Sequence, residues 1–134
     1  MKITATFLVI TFIFLAGCGG SEKTPTPADD GSAAVAKGMA ELQAQNVQGA
    51  IASFKKAAQA CDTNFNAWLQ LSLALLRLGE ISAAELAVKE ALALDPDSAE
   101  ARLAEGQVAY LKKDYARAIE AFAAVAAETS LPAT

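Results

Sequence analysis

Residues 65–98, FNAWLQLSLALLRLGEISAAELAVKEALALDPDS, are the clearest indication of the fold. Large apolar residues and alanines recur at helical spacing on both sides of Gly79-Glu80, which interrupts the rhythm. This pattern predicts one helix over residues 65–78 and a second over residues 82–94. Asp95-Pro96 ends the second helix, because proline lacks an N–H and disfavours a helical conformation in the residue before it. The stretch therefore predicts a helical hairpin.

The hairpin pattern occurs three times at a fixed spacing of 34 residues, without insertion or deletion. A fixed period of this length is characteristic of stacked repeats, in which each unit buries its apolar face against the next. We expect the small residue of each first helix to face the alanine of the second helix at a close crossing. The recurring positions are a small residue (Gly38, Ser72, Gly106), an alanine (Ala50, Ala84, Ala118), a large apolar residue (Phe54, Val88, Phe122) and a last apolar residue (Ala57, Ala91, Val125).

Polar residues stand where the helices should begin. Asn64 and Ser98 precede the first helices of the second and third units, where a side-chain oxygen can accept hydrogen bonds from free backbone N–H groups. Asn46, Glu80 and Asp114 share one phase before the second helices, where such side chains suit the positive end of the helix dipole. These residues predict helix starts at matching positions of the repeat.

The pattern resembles the tetratricopeptide repeat. The resemblance covers residues 31–132, in units 31–64, 65–98 and 99–132. It implies an all-α solenoid of three helical hairpins, about six helices, with no C-terminal capping helix evident. Trp68 falls on a packing position of the family, which favours the core over an exposed ligand-stacking role. The matching residues are Gly38, Asn46-Val47, Ala50-Ile51, Phe54 and Ala57; then Trp68, Leu71, Ser72, Leu75, Ala84, Val88, Ala91 and Pro96; then Gly106, Tyr110, Asp114-Tyr115, Ala118-Ile119 and Phe122.

Two units depart from the family pattern, which usually has an aromatic residue and a leucine early in the first helix: the first unit has Ala34 and Lys37 there, and the third has Arg102 and Glu105. Lys37 and Glu41 lie four residues apart on one helix face, which suits a unit with no neighbour in front of it. In the third unit we expect Arg102 and Glu105 to pair with each other.

The first residues resemble an export signal rather than a part of the fold. Lys2 gives a positive start, and the apolar run over residues 3–16 is too short to span a bilayer comfortably. Leu15-Ala16-Gly17-Cys18 resembles a bacterial lipobox, in which cleavage makes the cysteine the N-terminus and its thiol carries diacylglycerol. Residues 1–17 are therefore predicted to be a lipoprotein signal peptide, with Cys18 as the lipid attachment site. A plain secretory signal and a buried helix are the alternative interpretations.

Residues 18–32 are predicted to be the lipidated cysteine and a flexible tether, because glycine, serine, threonine, proline and aspartate dominate them. The repeat domain then covers residues 33–132. Gly19 stands where an aspartate resembles an inner-membrane retention signal. Its presence favours attachment to the outer membrane, facing the periplasm, in a cell that has one.

Composition excludes several classes of function. The chain has 11 basic and 15 acidic residues, a formal net charge of −4 and no histidine. The acidic balance argues against nucleic acid and against anionic headgroups as partners. Without histidine the commonest general base is missing, and no glycine-rich phosphate loop occurs, so we expect no enzymatic activity, metal site or cofactor. With Cys18 used for the lipid, Cys61 would form no intrachain disulfide. It is interpreted as a small apolar filler or, alternatively, as a partner in an intermolecular disulfide.

The family resemblance implies a partner-binding groove lined by the first helix of each unit. Its faces are mostly apolar, and Val35, Met39 and Ala104 stand where chaperone-binding members place residues that clamp a carboxylate. We therefore expect a helix or an extended apolar peptide in the groove; alternatively, some of these leucines are buried between helices and no groove is used. The predicted groove residues are Val35, Met39, Leu42 and Gln43, then Leu69, Gln70, Leu73, Leu76 and Arg77, then Leu103, Ala104, Gln107, Tyr110 and Leu111.

A second predicted surface lies at the open end of the repeats. The last helix keeps Ile119, Phe122 and Val125, part of which would have no neighbour, and this suggests docking of a partner or homo-oligomerisation. Together these features predict a lipid-anchored scaffold that mediates protein–protein interaction in the bacterial envelope, as an assembly factor for pili, secretion or outer-membrane biogenesis. A peptide- or solute-binding lipoprotein and a purely self-associating structural unit are the alternatives.

Overall fold

The computed structural model describes residues 31–129, with side chains for residues 31–128, and contains six helices and no strand within that range. This confirms the all-α class and the three hairpins. The predicted signal peptide, Cys18, the predicted tether as far as residue 30, and Pro132 lie outside the described residues. The last two residues assigned to the tether are described, and Ser32 is already the first helical residue. The helices are α1 (Ser32–Gln43), α2 (Val47–Ala60), α3 (Phe65–Leu78), α4 (Ile81–Leu94), α5 (Ala99–Leu111) and α6 (Tyr115–Thr129).

The helices begin at the capping residues that the sequence predicts. The Asn64 side chain accepts a hydrogen bond from the backbone N–H of Ala67 at 3.1 Å, and Ser98 accepts one from Ala101 at 3.2 Å. Asn46 and Asp114 cap α2 and α6 in the same way, whereas Glu80 makes no side-chain cap hydrogen bond at the start of α4. Four of the five predicted caps therefore close the first turn of a helix.

The turn inside each hairpin has a residue in the left-handed backbone conformation at the same position of the repeat. Gly79 has a φ of 84°, and the equivalent Gln45 and Lys113 have φ values of 60° and 65°. Glycine adopts this conformation without steric penalty, whereas a residue with a Cβ loses about 1–2 kcal/mol there. The turn that Gly79 predicts from the sequence is therefore present in all three units. Gln45 and Lys113 adopt the same conformation at an energetic cost.

The first and third hairpins close through an apolar side chain of the second helix packed over a glycine of the first. A Cβ built on Gly38 would lie 2.5, 2.8 and 2.9 Å from three consecutive ring carbons of Phe54, so the ring covers the glycine face-on. Gly106 and Phe122 repeat this geometry. The nearest side chain to each glycine is thus a phenylalanine and not the predicted alanine. The alanines stay buried, but they do not form the tightest contact.

The hairpins stack in chain order around one core. Helix α2 packs on α3 and α4 packs on α5, so each second helix lies against the next unit. Trp68 is half-buried, as its packing position predicts, and its indole N–H donates to the Asp62 carbonyl at 2.8 Å. Within residues 31–129 no helix is both long and apolar enough to cross a membrane. The main core cluster comprises Ala50, Ile51, Phe54, Leu71, Ala74, Leu75, Ala84, Ala87, Val88, Ala104 and Val108.

The two glycines provide a matched test of hairpin closure. Gly38→Ala should lower the free energy of unfolding by about 1–3 kcal/mol, because Phe54 is fully buried and its ring has nowhere to move. Gly106→Ala should leave stability unchanged or higher, because Phe122 is 37% exposed and its ring can swing outward while alanine gains about 1 kcal/mol of helix propensity. Urea denaturation of both variants checks this; equal losses would contradict it.

Candidate functional site

The first helices of the three units form the inner side of the stack. Among the described helices, α1 contacts α3 and α3 contacts α5, whereas α2, α4 and α6 do not contact one another. Helices on the inner side of a curved stack lie closer together than those on the outer side. The surface of α1, α3 and α5 is therefore the concave face, as the family resemblance implies.

The clearest depression on this face lies between the second and third units. It is a shallow concavity of about 660 Å³, open to solvent, which we call the α3–α5 concavity. Its apolar floor is formed by half-buried leucines of α3, and its far wall by exposed side chains of α5. The residues that line it are Leu73, Leu76, Arg77, Gln107, Tyr110, Leu111 and Phe122.

The structure separates the predicted groove residues into two groups. Leu69 and Ala104 are each 1% exposed and belong to the core, where Leu69 packs with Ala91 and Ala101, so neither can contact a partner. Both residues lie on the side of their helix that faces a neighbouring second helix. The apolar pattern alone does not distinguish this side from the side that faces the groove. Val35, Leu42 and Gln70 are half-buried, while Met39, Gln43 and Leu103 are exposed outside the α3–α5 concavity.

Arg77 is the cation of the α3–α5 concavity. It lies in the last turn of α3 and is exposed, and no ion pair involves it in the part of the chain that the structure describes. Gln107 is likewise exposed and supplies an amide that can donate and accept hydrogen bonds. The concavity therefore combines an apolar floor with one available positive charge and one amide at its rim.

Two aromatic residues, one beside this site and one in its lining, were not assigned to it from the sequence. Tyr115 packs edge-to-face against Tyr110, with ring centroids 5.8 Å apart. Phe122, which the sequence assigns to the open end, also lines the α3–α5 concavity. The sequence does contain a signal for the tyrosine contact. Tyr110 and Tyr115 stand on either side of the turn between α5 and α6, so the hairpin brings them together. The concavity and the open end thus share an aromatic border.

The predicted open-end surface is only partly exposed. Ile119 is 67% exposed and Phe122 is 37% exposed, whereas Val125 is 8% exposed and belongs to the buried side of α6. Val125 is one turn beyond Phe122 but points toward the hairpin interior, at the position where Ala57 and Ala91 are buried in the other units.

A charged cluster joins the second and third units. Glu85 of α4 receives a hydrogen bond from Lys112 at 2.6 Å and lies 3.6 Å from Lys89 and 3.8 Å from Arg117. Arg117 also reaches Glu105 at 2.7 Å. The predicted pair of Arg102 with Glu105 is therefore wrong. The hairpin brings Arg117 of α6 to Glu105, and the Arg102 side chain turns back to the Pro96 carbonyl and the Asp97 carboxylate.

The cluster at the front of the first unit matches its prediction. Lys37 lies 4.0 Å from Glu41, and the Ser53 hydroxyl donates to the Glu41 carboxylate at 2.7 Å. This polar network lines a depression between α1 and α2 together with small residues such as Ala34 and Ala52.

Cys61 differs from its prediction. It is 3% exposed, consistent with a buried position, but it is disulfide-bonded rather than a lone thiol. The chain has only one other cysteine, Cys18, which lies outside the described residues. Among the described residues no three histidine, cysteine or acidic side chains lie together as metal ligands would.

Comparison with known proteins places the chain in a family. A model described as Tetratricopeptide repeat matches residues 23–65 and 69–131, and the chain therefore belongs to the tetratricopeptide repeat family. No curated protein matches the chain by sequence.

Solved structures share the fold. The second repeat domain of Spaghetti (RPAP3), bound to the HSP90 peptide SRMEEVD, is 17% identical with a TM-score of 0.71, over 73% of this chain and 91% of that one. The TPR2B domain of yeast Sti1 in a pHsp70 complex is 18% identical with a TM-score of 0.68, over 72% and 77%. MamA is 25% identical with a TM-score of 0.69, over 74% of this chain, which spans only 58% of MamA.

The charged cluster should make stability depend on pH. The hydrogen bond from Lys112 is the main cause that lowers the pKa of Glu85, partly opposed by desolvation and reinforced by the positive charges of Lys112, Lys89 and Arg117. A carboxylate with a lowered folded pKa stabilises the fold above its unfolded pKa, about 4.3, and this contribution disappears as the pH falls through the folded value.

Wild type should therefore exceed Glu85→Gln in stability at neutral pH, by no more than about 1 kcal/mol because the partners are half-exposed. The difference should vanish in acid. Thermal melts at about pH 7 and about pH 3 measure it, with Glu90→Gln on the exposed side of the same helix as control. A difference that persists in acid would contradict the ionic origin.

Proposed function

We propose that this chain is an adaptor that holds a protein partner at a membrane surface of the bacterial envelope, through a peptide segment bound in the α3–α5 concavity. The observation that carries the proposal is the composition of that concavity: an apolar floor of Leu73 and Leu76 beside the charge of Arg77, which forms no ion pair with any described residue. An open, shallow depression suits a peptide segment better than a small solute, which is usually enclosed in a deep pocket.

The concavity also defines the chemistry of the segment. Leu73, Leu76 and Leu111 offer apolar contact, and burying a side chain of leucine or phenylalanine size against them would contribute roughly 1.5–3 kcal/mol. Arg77 would pair with a carboxylate, and that charge-assisted bond fixes the register of the segment. We therefore propose an apolar segment carrying an aspartate or glutamate. The peptide complexes of the Spaghetti and Sti1 domains support a peptide as the class of partner.

The membrane attachment is proposed from the sequence. Leu15-Ala16-Gly17-Cys18 would direct a diacylglycerol onto the Cys18 thiol and place the repeats close to the bilayer. The disulfide at Cys61 bears on this proposal, because a sulfur in a thioether to lipid cannot also bond another cysteine. If Cys18 carries the lipid, it cannot be the disulfide partner of Cys61.

Selection from a random peptide library on the intact chain tests the binding mode. We expect enrichment of peptides that combine large apolar residues with aspartate or glutamate. Arg77→Glu should lose these peptides or select lysine and arginine instead, and Tyr110→Ser should weaken the selected peptides roughly tenfold or more. Lys55→Glu is the matched charge reversal, on an exposed position of α2 away from the concave face, and should change nothing. Unchanged selection with Arg77→Glu would overturn the proposed mode.

Mass spectrometry of the chain expressed in a bacterium with a lipoprotein pathway tests the anchor. The mature N-terminus should be Cys18, carrying diacylglycerol, and the protein should stay in the membrane fraction. Cys18→Ser should release it, whereas Cys61→Ser should not. Recovery of a chain with an unlipidated Cys18 bonded to Cys61 would contradict lipid anchoring.

A further inference from the structure

The exposed face of α6 occupies a position that is covered in the first unit. Positions 51, 85 and 119 are equivalent in the repeat, as are 54, 88 and 122. In the first unit Ile51 and Phe54 are 5% and 0% exposed, because α3 packs on them. In the third unit Ile119 and Phe122 are 67% and 37% exposed. The same surface that binds the next helix inside the chain is thus not covered on α6 by any of residues 31–128.

The residues of this face are uniformly apolar. Tyr115, Ile119 and Phe122 follow one another at spacings of four and three, which places them in one stripe along α6. Ala123 lies beside the stripe and is exposed. In the second unit the position of Ile119 is held by Glu85, which is satisfied by Lys112 and Arg117. No side chain of the described residues forms an equivalent ion pair on the α6 stripe.

The two ends of the described stack differ in chemistry. The front of the first unit carries the polar network of Lys37, Glu41 and Ser53, which is satisfied and compatible with water. Docking α6 of one copy onto this front would bury an ion pair against apolar side chains, which costs desolvation energy without a new partner. Two α6 stripes facing each other would bury apolar surface on both sides and leave both polar fronts in solvent.

We propose that the α6 stripe binds the α6 stripe of a second copy of this chain, in a two-fold symmetric dimer. A two-fold axis near Phe122 and Ala123 would set each phenylalanine ring beside the small alanine of the other copy. Such an isologous contact closes on itself and stops at two copies. Phe122 also lines the α3–α5 concavity, so the dimer contact would border each concavity, although this inference does not rest on the function of the concavity.

Sedimentation equilibrium of the intact chain in density-matched mild detergent tests the dimer. We expect wild type to be a reversible dimer and Ile119→Glu to raise its dissociation constant roughly tenfold or more. Glutamate is the residue that the second unit carries at this position, so α6 should accept it; circular dichroism will confirm an unchanged helix content. Leu86→Glu is the matched control, because Leu86 is 65% exposed on α4 and lies outside the stripe.

Several outcomes would overturn the proposal. A monomeric wild type would do so, and so would a dimer that Ile119→Glu leaves intact, since association would then come from another surface such as residues 1–17. Growth beyond dimers with concentration would indicate head-to-tail docking instead. If deleting residues 130–134 creates a dimer from a monomeric chain, the chain's own C-terminal segment covers the stripe. A dimer that survives this deletion and the Leu86→Glu change supports the proposal.

Discussion

The contact of a phenylalanine ring with a glycine inside a hairpin sets the geometry of this repeat. Phe54 on Gly38 and Phe122 on Gly106 each place a ring carbon 2.5 Å from the point where a Cβ on the glycine would stand, so the ring must move if the glycine gains a side chain. In the middle unit the residues at both positions differ, and their sizes compensate: Ser72 is larger than glycine, and Val88 is smaller than phenylalanine. The summed volume at the crossing is thereby kept roughly constant, as close-packed interiors require. Three congruent hairpins follow from this compensation, and their congruence allows them to stack.

The stacking in turn creates the surfaces with which a partner can interact. Because α1, α3 and α5 lie on the inner side, polar and apolar side chains from all three helices lie on one concave face. The joint between the second and third units uses the charges of Glu85, Glu105 and Arg117 where the joint between the first and second units uses Ile51 and Leu71. Ion pairs therefore join the third unit to the second in addition to the apolar contacts of Leu69 and Ala91 with Ala101. The third unit also carries the tyrosines, Tyr110 and Tyr115, that border the proposed binding site.

Much of the fold could be predicted from the sequence, because equivalent residues recur in three units and each unit helps to interpret the others. The bounds of α3, the caps at Asn64 and Ser98, and the turn at Gly79 were each visible in one unit and could be transferred to the others. The candidate site was less predictable. Leu69 and Leu73 are equally apolar and four residues apart, yet one is in the core and the other borders the concavity. That distinction follows from the rotation of α3 against α4 and α5, which no local pattern encodes. The ion pair of Arg117 with Glu105 was not predicted for a similar reason, since it joins two helices rather than two turns of one helix.

The central claim, that face-on aromatic packing on a glycine closes the hairpins, can be measured directly by NMR. Protons over the face of an aromatic ring are shielded, so one α-proton of Gly38 and one of Gly106 should resonate well upfield of the position ordinary for a helical glycine. The α-proton of Ser72, whose unit carries Val88 where the others carry phenylalanine, is the internal control and should show only the shift ordinary for a helix. Ring shifts at both glycines and not at Ser72 would support the account. Ordinary helical positions at Gly38 and Gly106 would contradict it.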